Sequence, residues 1–113
     1  MPIAIENLLS VAQFQEQLPW QPFRPGVDIY NLSQNPATGA QTALLRYQPG
    51  ASVPRHEHRG YEHVLVLAGS QQDERGQYPA GTLAVNPPGS QHTVTSPEGC
   101  IVLIFWEQPV AMV

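Results

Sequence analysis

Apolar residues along this chain come in short runs, broken every few positions by Pro, Gly or clusters of Asn, Ser and Thr. Val27–Leu32 leads into Asn35-Pro36-Ala37-Thr38-Gly39, and Thr42–Gln48 is closed by Pro49-Gly50. Tyr61–Ala68 ends at Gly69, and a polar turn over Ser70–Gly76 leads through Gln77-Tyr78 to Pro79-Ala80-Gly81. Thr82–Asn86 runs to Pro87-Pro88-Gly89, Gln91–Thr95 to Ser96-Pro97-Glu98-Gly99, and Cys100–Glu107 to Pro109. Punctuation at that spacing leaves no room for long helices and predicts six or more short antiparallel strands, an all-β sandwich or small barrel. Only the start reads otherwise. Val11, Phe14 and Leu18 recur at helical spacing behind Ser10, Gln13 stands at the capping-box position, and Pro19 ends the run, which predicts a helix over 10–18. The Pro-rich stretch 19–26 then predicts an extended arm, because each Pro biases its predecessor away from α.

Length, composition and charge sharpen this picture. A chain of 113 residues holds one small core, divided here into an N-terminal helix and arm (1–25) and a barrel (26–109). The net charge of −4, with five basic residues in all, argues against a nucleic-acid partner, and no run approaches the ~20 apolar residues of a membrane span. The N-terminus lacks a basic region before its apolar residues, and Cys100 has no partner for a disulfide, so a cytoplasmic location is expected. Charged residues make up only 12% of the chain, about half the usual ~25%, which predicts an apolar surface hidden against a second copy, a homodimer.

The chemistry concentrates in His56-Glu57-His58-Arg59-Gly60-Tyr61-Glu62-His63. On an extended backbone His56 and His58 project from one face a few Å apart. Glu62 begins the apolar strand that follows, and His92, just past the Pro87-Pro88-Gly89 turn, can supply a third imidazole from a neighbouring strand. Imidazoles with one carboxylate on a rigid sheet make a site for a divalent metal.

These residues resemble the two motifs of the cupin superfamily. Gly50, His56, His58, Glu62 and Gly69 stand in the spacing of the first; Gly81, Pro87, Gly89 and His92 stand in that of the second, with Ser96 where the motif has Asn. Eleven residues separate the motifs, a short gap typical of single-domain cupins. The wording around them (Thr42-Ala43-Leu44-Leu45-Arg46, Tyr78-Pro79-Ala80-Gly81, Asn86-Pro87-Pro88-Gly89-Ser90-Gln91-His92, Ser96-Pro97-Glu98-Gly99-Cys100) is similar to the ChrR-type cupin domain family over residues 26–107. The resemblance implies a jelly-roll barrel with a metal inside, held by His56, His58, Glu62 and His92. The family's namesake is an anti-sigma factor that grips its partner through a separate helical domain with its own zinc. The 25 residues ahead of the barrel carry no His and no Cys, so sigma-factor binding is not expected.

Three neutral imidazoles and one carboxylate leave a bound divalent ion (Zn, Fe, Mn or Ni) near a charge of about +1, which favours a small anionic or enol-like ligand. Two functions follow: a metal-dependent oxygenase or isomerase, or a non-catalytic sensor or ligand-binding module like the ChrR cupin domain. No residue beyond the metal ligands is assigned a catalytic role. His63 alternates away from Glu62 and reads as a packed or interface residue, Cys100 as a small buried strand residue, and Glu57 and Arg59 as solvated. Arg46 and Tyr47 point to opposite faces, so at most one reaches the cavity. Trp20 and Phe23 read as an apolar patch of the arm that seals the barrel or its dimer. The last strand is apolar on both faces, and the pattern does not say which lines the interior.

Overall fold

The computed structural model describes residues 2–113. Ten strands follow one another: β1 (Gln21–Arg24), β2 (Val27–Gln34), β3 (Gln41–Tyr47), β4 (Ala51–Glu57), β5 (Glu62–Asp73), β6 (Gly76–Pro79), β7 (Leu83–Asn86), β8 (Gln91–Ser96), β9 (Cys100–Trp106) and β10 (Ala111–Met112). Every pairing is antiparallel, in the order β1-β2-β3-β9-β5-β8-β4-β10, with β6 and β7 also on β5. The sheet curls around one apolar interior. This is the all-β jelly roll that the strand spacing and the motifs led us to expect. No helix among the described residues is long and apolar enough to cross a membrane.

The N-terminal segment departs from expectation. Residues 10–18 form no α-helix; two short 3₁₀ segments, Leu8–Gln13 and Gln15–Gln17, meet at Phe14, and Ser10 leaves helical geometry at φ −107°. Ser10 caps nothing, and the residue ahead of the first segment, Asn7, makes no side-chain cap. A run this short closes too few intrahelical bonds to repay nucleation, so tertiary packing decides its shape. Val11 is fully buried against Leu44, Leu67 and Ile101 on the outer face of the sheet, with Leu8, Phe14, Leu18 and Trp20 beside it. The arm that follows is extended, as read, and its residues 21–24 pair with β2.

The sheet has two apolar faces because β3, β5 and β9 are covered on both sides. Inside lie Ala43, Leu45, Tyr47, Val64, Val66, Cys100, Val102, Ile104 and Trp106; outside, the N-terminal segment covers Leu44, Leu67, Ile101 and Leu103. The even-numbered face of the last strand is therefore the interior one.

Two irregularities aim the strands. β5 continues past Gly69, where the pattern predicted its end, and runs to Asp73. A register shift between Val66 and Ala68 lets its first half pair with β7 and β9 and its second half with β6 and β8. Gly69 sits at φ 71°, against the backbone of Gly99 and Cys100, where an added Cβ would collide with the Gly99 carbonyl oxygen. A second shift, between Val53 and His56, does the same in β4. Each bulge reverses which side of the strand faces the interior.

Candidate metal centre

Pairing register builds the site. His56 of β4 lies directly across from His92 of β8. His58 follows two residues later and is fixed by reciprocal backbone bonds to the Pro-Pro-Gly turn: its N–H donates to the Ser90 carbonyl (2.9 Å), and its carbonyl accepts from the Gly89 N–H (2.8 Å). Glu62 opens β5 between Asn86 of β7 and Trp106 of β9, its partners on either side. All four residues singled out in the sequence come together. None is more than 4% exposed, and one ligand atom from each lies within 4.8 Å of the others.

The outer nitrogen of every ring has a partner that fixes its tautomer. His56 Nδ1 donates to the Pro54 carbonyl at 2.9 Å, and His92 Nδ1 donates to Asp73 Oδ2 at 3.0 Å. His58 Nδ1 is 2.8 Å from Ser90 Oγ, whose own proton is committed to the Pro87 carbonyl at 2.6 Å, so the ring donates there as well. In the neutral rings all three Nε2 atoms are therefore bare lone pairs turned inward. His56 Nε2 and His92 Nε2 are 3.0 Å apart, and His58 Nε2 is buried with no hydrogen-bond partner. Lone pairs held together in this way call for a cation.

Glu62 completes the set as a carboxylate. The Asn86 amide donates to its Oε1 at 3.0 Å and the Trp106 indole N–H to its Oε2 at 2.8 Å, so its two strand neighbours satisfy one oxygen each. Burial pulls the Glu62 carboxyl upward, but a protonated His58 ring at 3.2 Å, with His92 and His56 behind it, outweighs that and, in the metal-free cluster, holds it below the usual carboxylate value. Burial also lowers the His56 imidazole. Both shifts favour the deprotonated forms that ligate metals. The donor set could hold one metal ion.

Beside the cluster opens a narrow cavity of about 30 Å³, walled by apolar residues including Val53, Val64, Val94 and Ile104 and reached by Tyr47, Gln71 and Arg24. Of the pair left open by sequence, Tyr47 turns inward, whereas Arg46 turns out to ion pairs with Asp28 (2.9 Å) and Glu16 (3.2 Å) under the Trp20 ring. Phe23 lies over Trp106, with centroids 6.2 Å apart, and closes one side of the cavity. His63 stays out of the cluster on the outer face, edge-on to Phe105.

A model of the ChrR cupin-like domain matches residues 10–111. The chain belongs to that family. This ChrR-like cupin is 36% identical over 78 residues to the anti-sigma-E factor ChrR of Cereibacter sphaeroides, an alignment covering 66% of this chain and 37% of that protein. The chain thus spans about a third of the length of the curated relative it matches. A chain of the crystal structure of Rhodobacter sphaeroides SigE in complex with the anti-sigma ChrR superposes with a TM-score of 0.71 and 26% identity, over 94% of this chain and 66% of that one. The acetylacetone dioxygenase of Acinetobacter johnsonii superposes with a TM-score of 0.80 over 100% of this chain and 77% of that one; at 17% identity this is a likeness of fold alone.

These relatives correct one expectation. Sigma-factor binding was set aside because residues 1–25 lack the His and Cys of a zinc-bearing helical domain. The curated relative is nevertheless an anti-sigma factor, and the matched structure is a complex of that protein with SigE. Those residues are only the segment ahead of the barrel, while the match runs through the barrel itself.

Sequence reading of this ChrR-like cupin found the four cluster residues and missed those that orient them. Ser90, Asn86 and Trp106 each neighbour a motif position or share the parity of one, a signal that was available. Asp73 belongs to the wording similar to the ChrR-type family, but alternation placed neither it nor Gln71 inside, because they face inward only after the bulge in β5. Ser96, the departure from the motif, is wholly buried; its hydroxyl donates to the Ser70 carbonyl at 2.6 Å and its carbonyl accepts from Gly50 N–H at 2.8 Å.

Proposed function

We propose that His56, His58, Glu62 and His92 hold one divalent ion, Zn, Fe, Mn or Ni, and that the loaded barrel acts as a metal-dependent oxygenase or isomerase on a small anionic or enol-like substrate. The observation that carries this is the convergence of three Nε2 lone pairs and one carboxylate oxygen on a point beside a cavity. When bound, such an ion supplies Lewis acidity and, if it is redox-active, a route to oxygen chemistry. The chain's own residues do the rest. Pro54, Ser90 and Asp73 hold the three rings in the ligating tautomer. Asn86 and Trp106 keep Glu62 ionised and oriented. Val53, Val64, Val94 and Ile104 exclude bulk water, and Tyr47 brings a hydroxyl to the cavity. Burial, first, and then the neighbouring Cys100 and Glu62 push the Tyr47 phenol far upward, so it serves as a hydrogen-bond donor. A lone buried thiol suits a reducing compartment, and we place the protein in the cytoplasm.

A second reading is favoured by the ChrR relatives: the barrel is a metal-dependent sensing module whose partner is a sigma factor. Metal content of protein purified without chelators, followed by oxygen uptake and product analysis with a panel of small enols, separates the two. Turnover that disappears with the metal supports the enzyme. Stoichiometric zinc, no turnover, and co-elution with a SigE-type sigma factor on size exclusion would replace it with the sensor.

A further inference from the structure

The cavity beside the cluster holds one charged group that the metal site does not use. Arg24, the last residue of β1, lines it together with Tyr47 and Gln71. Its Nε is buried and has no hydrogen-bond partner. Of its terminal nitrogens, Nη2 touches only the Met112 sulfur of β10, at 3.3 Å, a weak acceptor, and the guanidinium lies 5.3 Å from the Phe23 ring centroid. Of the other arginines, Arg46 is paired with Asp28 and Glu16, and the exposed Arg55 and Arg75 lie against Glu74 and Asp73. No carboxylate pairs with Arg24 among the described residues. A half-buried guanidinium whose buried Nε–H has no acceptor leaves a charged donor unmet, and such a group at the edge of a cavity marks a place where an acceptor can arrive from outside.

We infer that Arg24 anchors the ligand of this cavity, and that the ligand is a small carboxylate or enolate. This rests on the reading of the cluster as a metal centre. With an ion of charge two, Glu62 and Arg24, the site carries about +2, so a neutral molecule is disfavoured against an anion of the same shape. The planar guanidinium presents Nε–H and Nη–H in a fork that fits the two oxygens of one carboxylate. Tyr47 and Gln71 add a hydroxyl and an amide for a second oxygen on the same molecule. A cavity of about 30 Å³, room for one or two waters, restricts the ligand to the smallest acids, of two or three carbons, with part of the molecule at the rim. Phe23 and Met112, which flank Arg24 from β1 and from the C-terminal strand, form the rim it passes.

Acetate, pyruvate and malonate, with neutral 2,3-butanedione as the isosteric control for pyruvate, are the probes, titrated by NMR into zinc-loaded wild type, Arg24→Gln and Arg24→Lys. At least one acid is expected to bind wild type more tightly than butanedione does. Arg24→Gln is expected to weaken it tenfold or more, and Arg24→Lys, which keeps the charge and loses the fork, to fall between. Zinc stoichiometry and the unfolding temperature should stay at the wild-type values in both variants. Acid binding no tighter than butanedione, or equal binding by wild type and both variants, overturns the inference. Should wild type take up no zinc or other divalent ion, the metal reading fails on its own. The same titration of the metal-free proteins then decides Arg24, since its charge and fork do not depend on the ion.

Discussion

His56 Nε2 and His92 Nε2 stand 3.0 Å apart across two paired strands, and each ring already donates its Nδ1–H in a hydrogen bond to an outer acceptor. Two neutral imidazoles in those tautomers face each other lone pair to lone pair, an arrangement relieved by a proton on one ring or by a cation between them. Glu62 Oε1, 3.9 Å from His92 Nε2 and 3.2 Å from His58 Nε2, favours either form of positive charge. A divalent ion satisfies all four groups at once, where a proton satisfies two.

Metal should therefore act as a stabilising ligand of the fold. An ion at ~1,000 times its dissociation constant adds about 4 kcal/mol, and in a domain of this size each kcal/mol is worth about 4–8 °C. Adding Zn²⁺ or Mn²⁺ to chelator-treated protein should raise the melting temperature by about 15 °C or more, read by calorimetry. His56→Ala and His92→Ala should each abolish most of that rise. A melting temperature indifferent to metal would mean that no ion enters the cluster.

Asp73 should tune the centre without touching it. Its carboxylate fixes the His92 tautomer from 3.0 Å, and the Tyr78 hydroxyl (2.8 Å) holds it in place. In Asp73→Asn the amide can donate to Nδ1 and so turn a protonated Nε2 toward the cluster. Outer partners of this kind are typically worth about 10- to 100-fold in metal affinity. Competition against a chromophoric chelator should show that loss, with the far-UV circular dichroism unchanged; an affinity within twofold of wild type would remove Asp73 from the argument.

Asp73 also shows where the sequence stops being legible. The four cluster residues could be read because motif spacing and strand alternation agree within each short segment: His56 with His58, Glu62 with Val64, His92 with Val94. Alternation carried forward from Glu62 puts even-numbered residues inside, which excludes Gln71 and Asp73. The bulge between Val66 and Ala68 reverses that parity, and it depends on how Gly69 packs on Gly99, a contact thirty residues away. The same holds for β4, where the shift between Val53 and His56 turns the strand. The N-terminal segment failed as a helix for a related reason: Val11, Phe14 and Leu18 carry helical spacing, yet the curvature of the sheet under them sets their geometry. Local pattern located the chemistry, and long-range packing chose the residues that support it.

Gly69 should be intolerant of any side chain. Its φ of 71° is costly for other residues, and a Cβ there would strike the Gly99 carbonyl oxygen and press on Cys100 Cα at 3.0 Å. Neither contact yields easily, because both are backbone: Cys100 is paired with Gly69 in the sheet, and the Gly99 carbonyl accepts from Ser70 N–H. Gly69→Ala should destabilise the protein by about 3 kcal/mol or more. Because the bulge aims Asp73, metal affinity in any folded fraction should fall as well. Urea denaturation with and without metal measures both; a midpoint shift below the equivalent of ~1 kcal/mol would mean that the strand reaches the second half of its pairing without the bulge.

Cys100 provides a test of the interior that is independent of metal. It is buried on the cavity-side face of β9, and burial pushes its thiol up to about 11, with the Ser96 hydroxyl pulling weakly the other way. A thiol in the unfolded chain loses its proton near pH ~8.5. Between that value and about 11 the folded state keeps a proton that the unfolded state has released, so stability falls as pH rises through the window, by at most about 1.4 kcal/mol per pH unit. Below the window the contribution is fully present. Cys100→Ala should flatten the decline in urea stability between pH 8.5 and 10, and native wild type should resist a disulfide-exchange reagent at pH 8 until it is unfolded. Rapid modification of the native protein at pH 8, or identical slopes for wild type and variant, would show that the start of β9 is open to water.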